Sequence, residues 1–389
     1  MAEAYIVEAV RTAGGRRGGA LSNWHPVDLG AAVLDALVER TGIDPSAIED
    51  VIMGCVGQAG EQGLHVGRNA VLASRLPESV PAVSIDRQCG SSQQAIQFAA
   101  QAILSGTQDV VIAAGVESMT RVPMGSTGHF SATAQPGTSK SPRLDARYPG
   151  IAFSQFMGAE MMAEKHGFDR AALDAFSLES HTRAAAATTS GAFEREIVPL
   201  PIETPEGARI HDTDEGIRYD ANLQSIGAVK LLKENGRISA ANASQICDGA
   251  SAVMIVSERA LKEHGLTPLA RIHAFTVTGG DPIIMLEEPL FATDRALKRA
   301  GMTIDDIDLY EVNEAFAPVP LAWLKHTGAD PAKLNVNGGA IALGHPLGAS
   351  GTKLMATLVH ALRARGKKYG LQTMCEGGGL ANVTIVEAL

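Results

Sequence analysis

The sequence predicts a duplicated α/β protein with a long segment inserted between its halves, and three observations carry that expectation. Strand-like and helix-like patterns alternate from the first residues, a stretch rich in Gly, Ser, Thr and Pro interrupts them from about Arg121, and the last third repeats the organisation of the first. Alternating β and α elements favour a mostly parallel sheet covered by helices.

Taken in order, AYIVEAV reads as a strand, VDLGAAVLDALVERTG as an amphipathic helix and DVIMGCV as a buried strand. A helix across VGRNAVLASRL, a strand at AVSIDR, a helix at QQAIQFAAQAILSG and a buried strand at DVVIAAGVES complete the first part. GSTGHFSATAQPGTSKSPRLDARYPG has no clear period and reads as an excursion from the core. Beyond it, EMMAEKHG, LDAFSLESHTRAAAA and SIGAVKLLKENG are expected to be helical, and EIVPLPI a short strand. SAVMIVSERAL then resumes the apolar texture. GIDPSAIEDVIMG, from Gly42, matches GMTIDDIDLYEVN, from Gly301, with Gly, Ile and acidic residues in corresponding places. These patterns divide the chain into an N-terminal core (1–118 with 244–268), an inserted unit (119–243) and a C-terminal core (269–389). A cleft between duplicated halves is a natural place for chemistry.

Composition narrows the function. A net charge of −10 over 389 residues disfavours nucleic acid as a partner, which calls for a basic patch. The start, MAEAYIVEAV, lacks a signal-peptide pattern, and no run approaches the ~18 apolar residues of a membrane span, so a cytoplasmic location is expected. The ending VEAL is not a peroxisomal address. Cys55, Cys89, Cys247 and Cys375 form no CxxC or CxxH pattern, which leaves free thiols and no expected metal site. The absence of GxxxxGK[ST], strand-anchored GxGxxG and GxSxG patterns disfavours a nucleotide-dependent kinase or a serine hydrolase.

Three reactive side chains lie in turns of small residues. Cys89, in DRQCGSSQQA, sits where a strand meets a helix, and the helix N-terminus there would favour a thiolate; the alternative is a small buried hydrophobe. His345, in NGGAIALGHPLGASG, precedes a proline that disfavours helix and could act as a general base; the alternative is a surface loop histidine. Cys375, in TMCEGGG, could carry a proton, and Gly377 and its neighbours could present N–H groups to an oxyanion; the alternative is a strand-end turn with an incidental cysteine. Asn313, in EVNEAFA, could hold a water or carbonyl oxygen, or cap the helix expected at AFAPVPLAWL.

Together these segments resemble the thiolase family, the acetyl-CoA acetyltransferases and 3-ketoacyl-CoA thiolases. RTAGGRRGGAL, QCGSSQQA, NASQICDGASAV, VNEAFA, NVNGGAIALGHPLGASG and CEGGG occur in the family's order from end to end. The resemblance implies a thiolase fold, a five-layer αβαβα core with a loop domain over coenzyme A, assembled as a homo-oligomer, dimer or tetramer. It implies that coenzyme A and 3-ketoacyl-CoA are the small-molecule partners and that no cofactor is tightly bound. It implies Cys89 as nucleophile, His345 as its base, Cys375 as acid and base, Asn313 holding a water, and Cys89 and Gly377 N–H groups facing the oxyanion. For coenzyme A it implies Ser244 at the pantetheine arm, Met157 and Phe316 along the channel, and Arg218 near the adenine or its phosphates, although Arg218 also reads as a solvated surface charge. CGSSQQA departs from the commoner CGSG followed by Leu-Lys, which places Ser92, Gln93 and Gln94 near the nucleophile and, with TMCEGGG, resembles bacterial degradative thiolases for bulky or polar acyl chains, steroid types included. Competing readings are a biosynthetic acetoacetyl-CoA thiolase, a ketoacyl synthase, and a non-catalytic acyl-CoA-binding relative.

Overall fold

The computed structural model describes residues 2–128, 139–205 and 207–389, so the middle of the Gly/Ser-rich excursion lies outside the described residues. The first part of the chain forms β1 (Ala4–Thr12), β2 (Gly15–Arg16), α1 (Pro26–Thr41), β3 (Asp50–Gly54), α2 (Val66–Ala73), β4 (Ala82–Ile85), α3 (Ser91–Ser105) and β5 (Val110–Ser118). The inserted part contributes α4 (Pro142–Arg147), α5 (Gln155–His166), α6 (Arg170–Thr189), β6 (Ile197–Val198), β7 (Leu200–Thr204), β8 (Gly207–His211) and α7 (Leu223–Gly227). The remainder forms β9 (Cys247–Ser257), α8 (Glu258–Glu263), β10 (Ala270–Gly279), α9 (Glu288–Ala300), β11 (Leu309–Val312), α10 (Pro318–Thr327), α11 (Ala340–Leu343), α12 (Ser350–Ala364), β12 (Tyr369–Glu376) and β13 (Leu380–Ala388).

The strands run in the order β11-β12-β13-β10-β1-β9-β5-β3-β4. At the seam between the halves, β1 and β10 share only Tyr5↔Arg271 and Ile6↔Ala270. The expected mostly parallel sheet is instead mixed. β3 is parallel to β4 and β5, and β11 to β12, but β9 lies antiparallel between β1 and β5, and β13 antiparallel between β12 and β10. The cause is connectivity: β12 and β13 are joined by the short glycine turn at 377–379, which permits only antiparallel pairing.

Apolar periodicity then builds five layers. Leu29, Val33, Leu34 and Leu37 of α1 pack with α2 on one outer face. Ile96 and Ile103 of α3 and Met355 and Val359 of α12 fill the middle between Ile6, Val253 and Ile255 on one side and Val386 on the other. Leu290 of α9 and Trp323 of α10 cover the far face over Tyr310. The internal repeat is real in three dimensions. Each half has a helix stopped by a left-handed glycine, Gly42 (φ 67°) or Gly301 (φ 68°), then a single 3₁₀ turn and a strand with a parallel partner. Glycine suits such positions because it lacks the Cβ that penalises positive φ.

Two expectations for the insertion change in detail. SIGAVKLLKENG is helical only to Gly227; the Leu232 N–H donates instead to Ile238 O (2.8 Å) and Asn235 turns the chain at φ 55°. Pro199, which has no N–H to donate, divides EIVPLPI into β6 and β7. The insertion is anchored to β1 through Arg11, whose side chain is fully buried. Its Nε donates to Glu196 (2.6 Å), and its Nη1 and Nη2 donate to the two oxygens of Asp214 (2.8 and 3.0 Å). Glu196 also accepts from Thr357 of α12 (2.9 Å), so one guanidinium ties three parts of the chain. Arg11→Met would leave Glu196 without its cation and Asp214 with only Lys353 at 4.0 Å, and is expected to cost about 3–5 kcal/mol, read from the midpoint of urea unfolding.

Candidate active site

Cys89 and His345 lie just before the N-termini of the two buried central helices, α3 and α12. The α3 and α12 N-termini meet so closely that a Cβ on Gly351 would stand 2.0 Å from the Gln93 backbone nitrogen. Gly54 and Gly115 are equally confined, with Cβ positions 2.7 and 2.4 Å from Gly348 O. Ser92 Oγ accepts the Thr352 N–H (3.0 Å), joining one helix end to the other. The carboxyl of Glu117 accepts from Val56 N, Gly57 N and Gly348 N (2.9, 2.9 and 2.8 Å), pinning the His345 loop to the N-terminal half.

Cys89 is 7% exposed and follows Gln88, which holds φ at 49°. Gly90 N bonds Arg87 O (3.1 Å) across this tight turn. The sequence led us to expect a thiol shifted toward thiolate. Burial, with the carboxyl of Glu376 next, pushes it up to about 12 instead, so desolvation outweighs the helix end.

His345 is 3% exposed. Ser350 Oγ donates to Pro346 O (2.9 Å) and is therefore left to accept from His345 Nδ1 (2.5 Å). This places the proton on Nδ1 and the lone pair on Nε2, which faces Asn313 Nδ2 at 3.4 Å. Burial, then the Lys353 ammonium, pushes the imidazole down to about 3, so it rests neutral. Asn313 caps no helix: α10 starts at Pro318 with Ala317 at its cap, and the amide oxygen Oδ1 is buried without a partner. Next to it, Glu314 accepts from Ser180 Oγ, Asn335 Nδ2 and Ile341 N (2.6, 2.9 and 3.1 Å), holding the loop that leads to His345.

Cys375 is fully buried near the end of β12, and its thiol is pushed well up by burial and then by Cys89. Gly377 lies over the Cys89 turn, its Cβ position 2.8 Å from Gln88 Oε1.

A cleft of about 770 Å³ opens beside His345, which lines it together with Leu347, whereas Cys89, Asn313, Cys375 and Gly377 are not in its lining. Leu347 also packs against the cluster of Cys89, Leu354 and Met374, so the cleft floor touches the Cys89 environment. Ser244, whose N–H bonds Ala315 O (2.9 Å), Phe316 and Arg218 line the walls, with Arg16 and Arg17 adding positive charge that is partly offset by Asp220 and by Glu215, which pairs with Arg16 (3.8 Å). Arg218 is exposed, and its backbone N–H donates to His181 Nδ1 (3.2 Å). Met157 is not in the lining; its neighbour Phe156 is, edge-on to Phe316 at 5.6 Å between ring centroids. Ser92, Gln93 and Gln94 are buried between the halves and do not line the cleft. Gln93 Nε2, for example, donates to Gln372 O (3.1 Å). Ser350, Glu117 and the turn at Gln88 were not singled out from the sequence. The only available signal was a hydroxyl five residues after His345.

No group of three or more His, Cys, Asp or Glu side chains among the described residues could hold a metal. Family models for the thiolase N-terminal and C-terminal domains match residues 4–259 and 266–388. The chain belongs to the thiolase family. A steroid 3-ketoacyl-CoA thiolase of Mycobacterium tuberculosis is 53% identical, covering 100% of this chain and 95% of its own. A 3-ketoacyl-CoA thiolase of Cronobacter sakazakii is 41% identical over 100% of both chains. The solved human mitochondrial 3-ketoacyl-CoA thiolase superposes with TM-score 0.91 at 37% identity, covering 100% of this chain and 99% of its own.

If Ser350 fixes the tautomer of this thiolase histidine, Ser350→Ala should lower kcat about 10- to 100-fold, the usual cost of losing a group that orients a functional imidazole. KM should change little, since Ser350 does not line the cleft. Steady-state kinetics on the purified variant separates the two constants.

Proposed function

We propose that this chain is a 3-ketoacyl-CoA thiolase that cleaves its substrate with coenzyme A to acetyl-CoA and a shortened acyl-CoA. The observation that carries the proposal is the His345 Nε2 lone pair, fixed by Ser350 and faced by Asn313, in the lining of a cleft whose floor packs on Cys89. Cys89 Sγ attacks the 3-keto carbon while its proton passes to His345 Nε2. Because thiol and imidazole both rest uncharged, this transfer accompanies the attack rather than preceding it. The alkoxide faces N–H groups of Cys89 and Gly377, and such a donor is worth about 3 to 4 kcal/mol. The C2–C3 bond then breaks, leaving an acyl thioester on Cys89 and an acetyl-CoA enolate that receives a proton from Cys375. The enolate oxygen is met by His345, now protonated on Nε2, and by a water on Asn313. Cys375 next takes the proton of an incoming coenzyme A thiol, which displaces the acyl group, and His345 returns its proton to Cys89. Dividing the transfer in this way gives ping-pong kinetics.

Phe316 and Ser244 suit the pantetheine arm, and Arg218, exposed at the wall, suits the phosphates. The 53% identical relative is named for steroid 3-ketoacyl-CoA, and this supports a bulky degradative substrate. We take the three-part division 1–118 with 244–268, 119–243 and 269–389 as the domain organisation. We also place the protein in the cytoplasm as a homo-oligomer, dimer or tetramer; the half-exposed edge strand β4, with Val83 41% exposed, offers a surface for association. No helix among the described residues is long and apolar enough to cross a membrane.

Intact-protein mass spectrometry with peptide mapping tests the proposal, using linear and ring-bearing 3-ketoacyl-CoA without free coenzyme A. A shortened acyl group on Cys89, absent in Cys89→Ala, is the expected result. An adduct on another residue, or none with any substrate, would refute it. The chain length or ring system giving the highest kcat/KM identifies the substrate class. A second outcome follows from the low His345 value: kcat/KM should show no titration near the ordinary histidine value of about 6.5 as pH falls.

A further inference from the structure

Glu376 takes no part in the steps above, yet it is a fully buried carboxyl whose two oxygens both lack a hydrogen-bond partner. Alternation along β12 sends Met374 and Glu376 to one face and Cys375 to the other. Met374 packs in a small cluster with Cys89 and Leu354, whereas Cys375 joins the larger core around Phe316. The Glu376 carboxyl therefore shares the Met374 face, while Cys375 is influenced by Cys89 from its own face. Glu376 Oε1 comes within 2.0 Å of where a Cβ on Gly90 would lie, against the residue that follows Cys89.

The surroundings fit an uncharged acid. Arg87 and Cys89 face it from the turn before α3, Cys375 adjoins it on its own strand, and Asn382 faces it from β13. Asn382 Nδ2 is engaged with Gly90 O (3.2 Å), and Arg87 Nε is buried without reaching any acceptor. A carboxylate would thus be buried without a donor, which is costly. Asn382 Oδ1 is also buried without a donor.

We propose that Glu376 is held as a neutral carboxylic acid and serves as a positioning residue for Cys89, permitting the thiolate when protonated and opposing it when ionised. The proposal takes from the thiolase mechanism only the identity of the nucleophile. Only the carboxyl O–H bond breaks at this residue, its proton passing to solvent. Burial, opposed only by Arg87, pushes the carboxyl up to about 8, close to working pH. Two like charges so near one another in a buried site raise one another's cost.

The test is the rate of Cys89 alkylation by iodoacetamide against pH, followed by peptide mapping, in wild type, Glu376→Gln and Glu376→Asp. The wild type and Glu376→Gln should react alike below pH 7, while above pH 9 Glu376→Gln should be about tenfold faster, equivalent to a fall of about one unit in the thiol's apparent pKa. Glu376→Asp, which keeps an ionisable group, should restore the wild-type profile. Superimposable wild-type and Gln profiles would overturn the proposal. As a measurement needing no variant activity, the wild-type infrared spectrum should lose a carboxylic-acid C=O band as pH rises through about 8. Glu376 ionised at neutral pH, as pairing with Arg87 would require, would also overturn it. Alkylation needs no substrate, so a failure here is distinct from failure to form an acyl adduct, which would count against the thiolase reading instead.

Discussion

The close approach of the α3 and α12 N-termini is the constraint on which the rest depends. Two helices can meet end to end over a sheet only where backbone replaces side chain, and Gly54, Gly115, Gly348 and Gly351 clear that space. The consequence is functional as well as architectural. Cys89 precedes one of these helices and His345 the other, so the proposed nucleophile and the proposed base are carried by opposite halves on either side of that junction. Ser92, donating nothing to the cleft, completes the junction by accepting the Thr352 N–H.

Burial is the dominant electrostatic fact of the site. It pushes the Cys89 and Cys375 thiols and the Glu376 carboxyl up and the His345 imidazole down, so each of the four favours its uncharged form. In the proposed mechanism, charge then arises only as proton transfer and bond formation proceed, where fixed N–H donors would meet it instead of mobile water. Where charge does persist in the interior, it is compensated: Arg11 has both Asp214 and Glu196, and Lys353 Nζ donates to Leu343 O at 2.6 Å.

Much of this was legible in one sequence because some motifs have few physical solutions. The Gly42 and Gly301 segments repeat a helix stop, a 3₁₀ turn and a strand, and the six ordered motifs carried the family. What escaped was decided by tertiary context. Strand direction depended on β9 returning to the centre of the first half, which local periodicity does not encode. SIGAVKLLKENG has helical composition, but the Leu232 N–H is used by Ile238 O. Asn313 looked like a helix cap until the helix proved to begin five residues later, at Pro318. Phe156 rather than Met157 reaches the cleft, a one-residue difference in helix phase that sequence spacing does not resolve. The ionisation of Cys89 was misjudged because a helix end is visible in sequence and depth of burial is not.

The central place of β9 also governs how the molecule comes into being. β1 has its main partner in β9, residues 247–257, and β5 pairs with the other edge of the same strand. During synthesis the first half therefore cannot close its sheet until the whole insertion has left the ribosome, a delay of roughly tens of seconds at about 5–20 residues per second. Throughout that interval the apolar edges of β1 and β5 are without their native neighbour. The nascent chain consequently carries two unpaired strand edges, the kind of surface open to mispairing, for a time set by the length of the insertion.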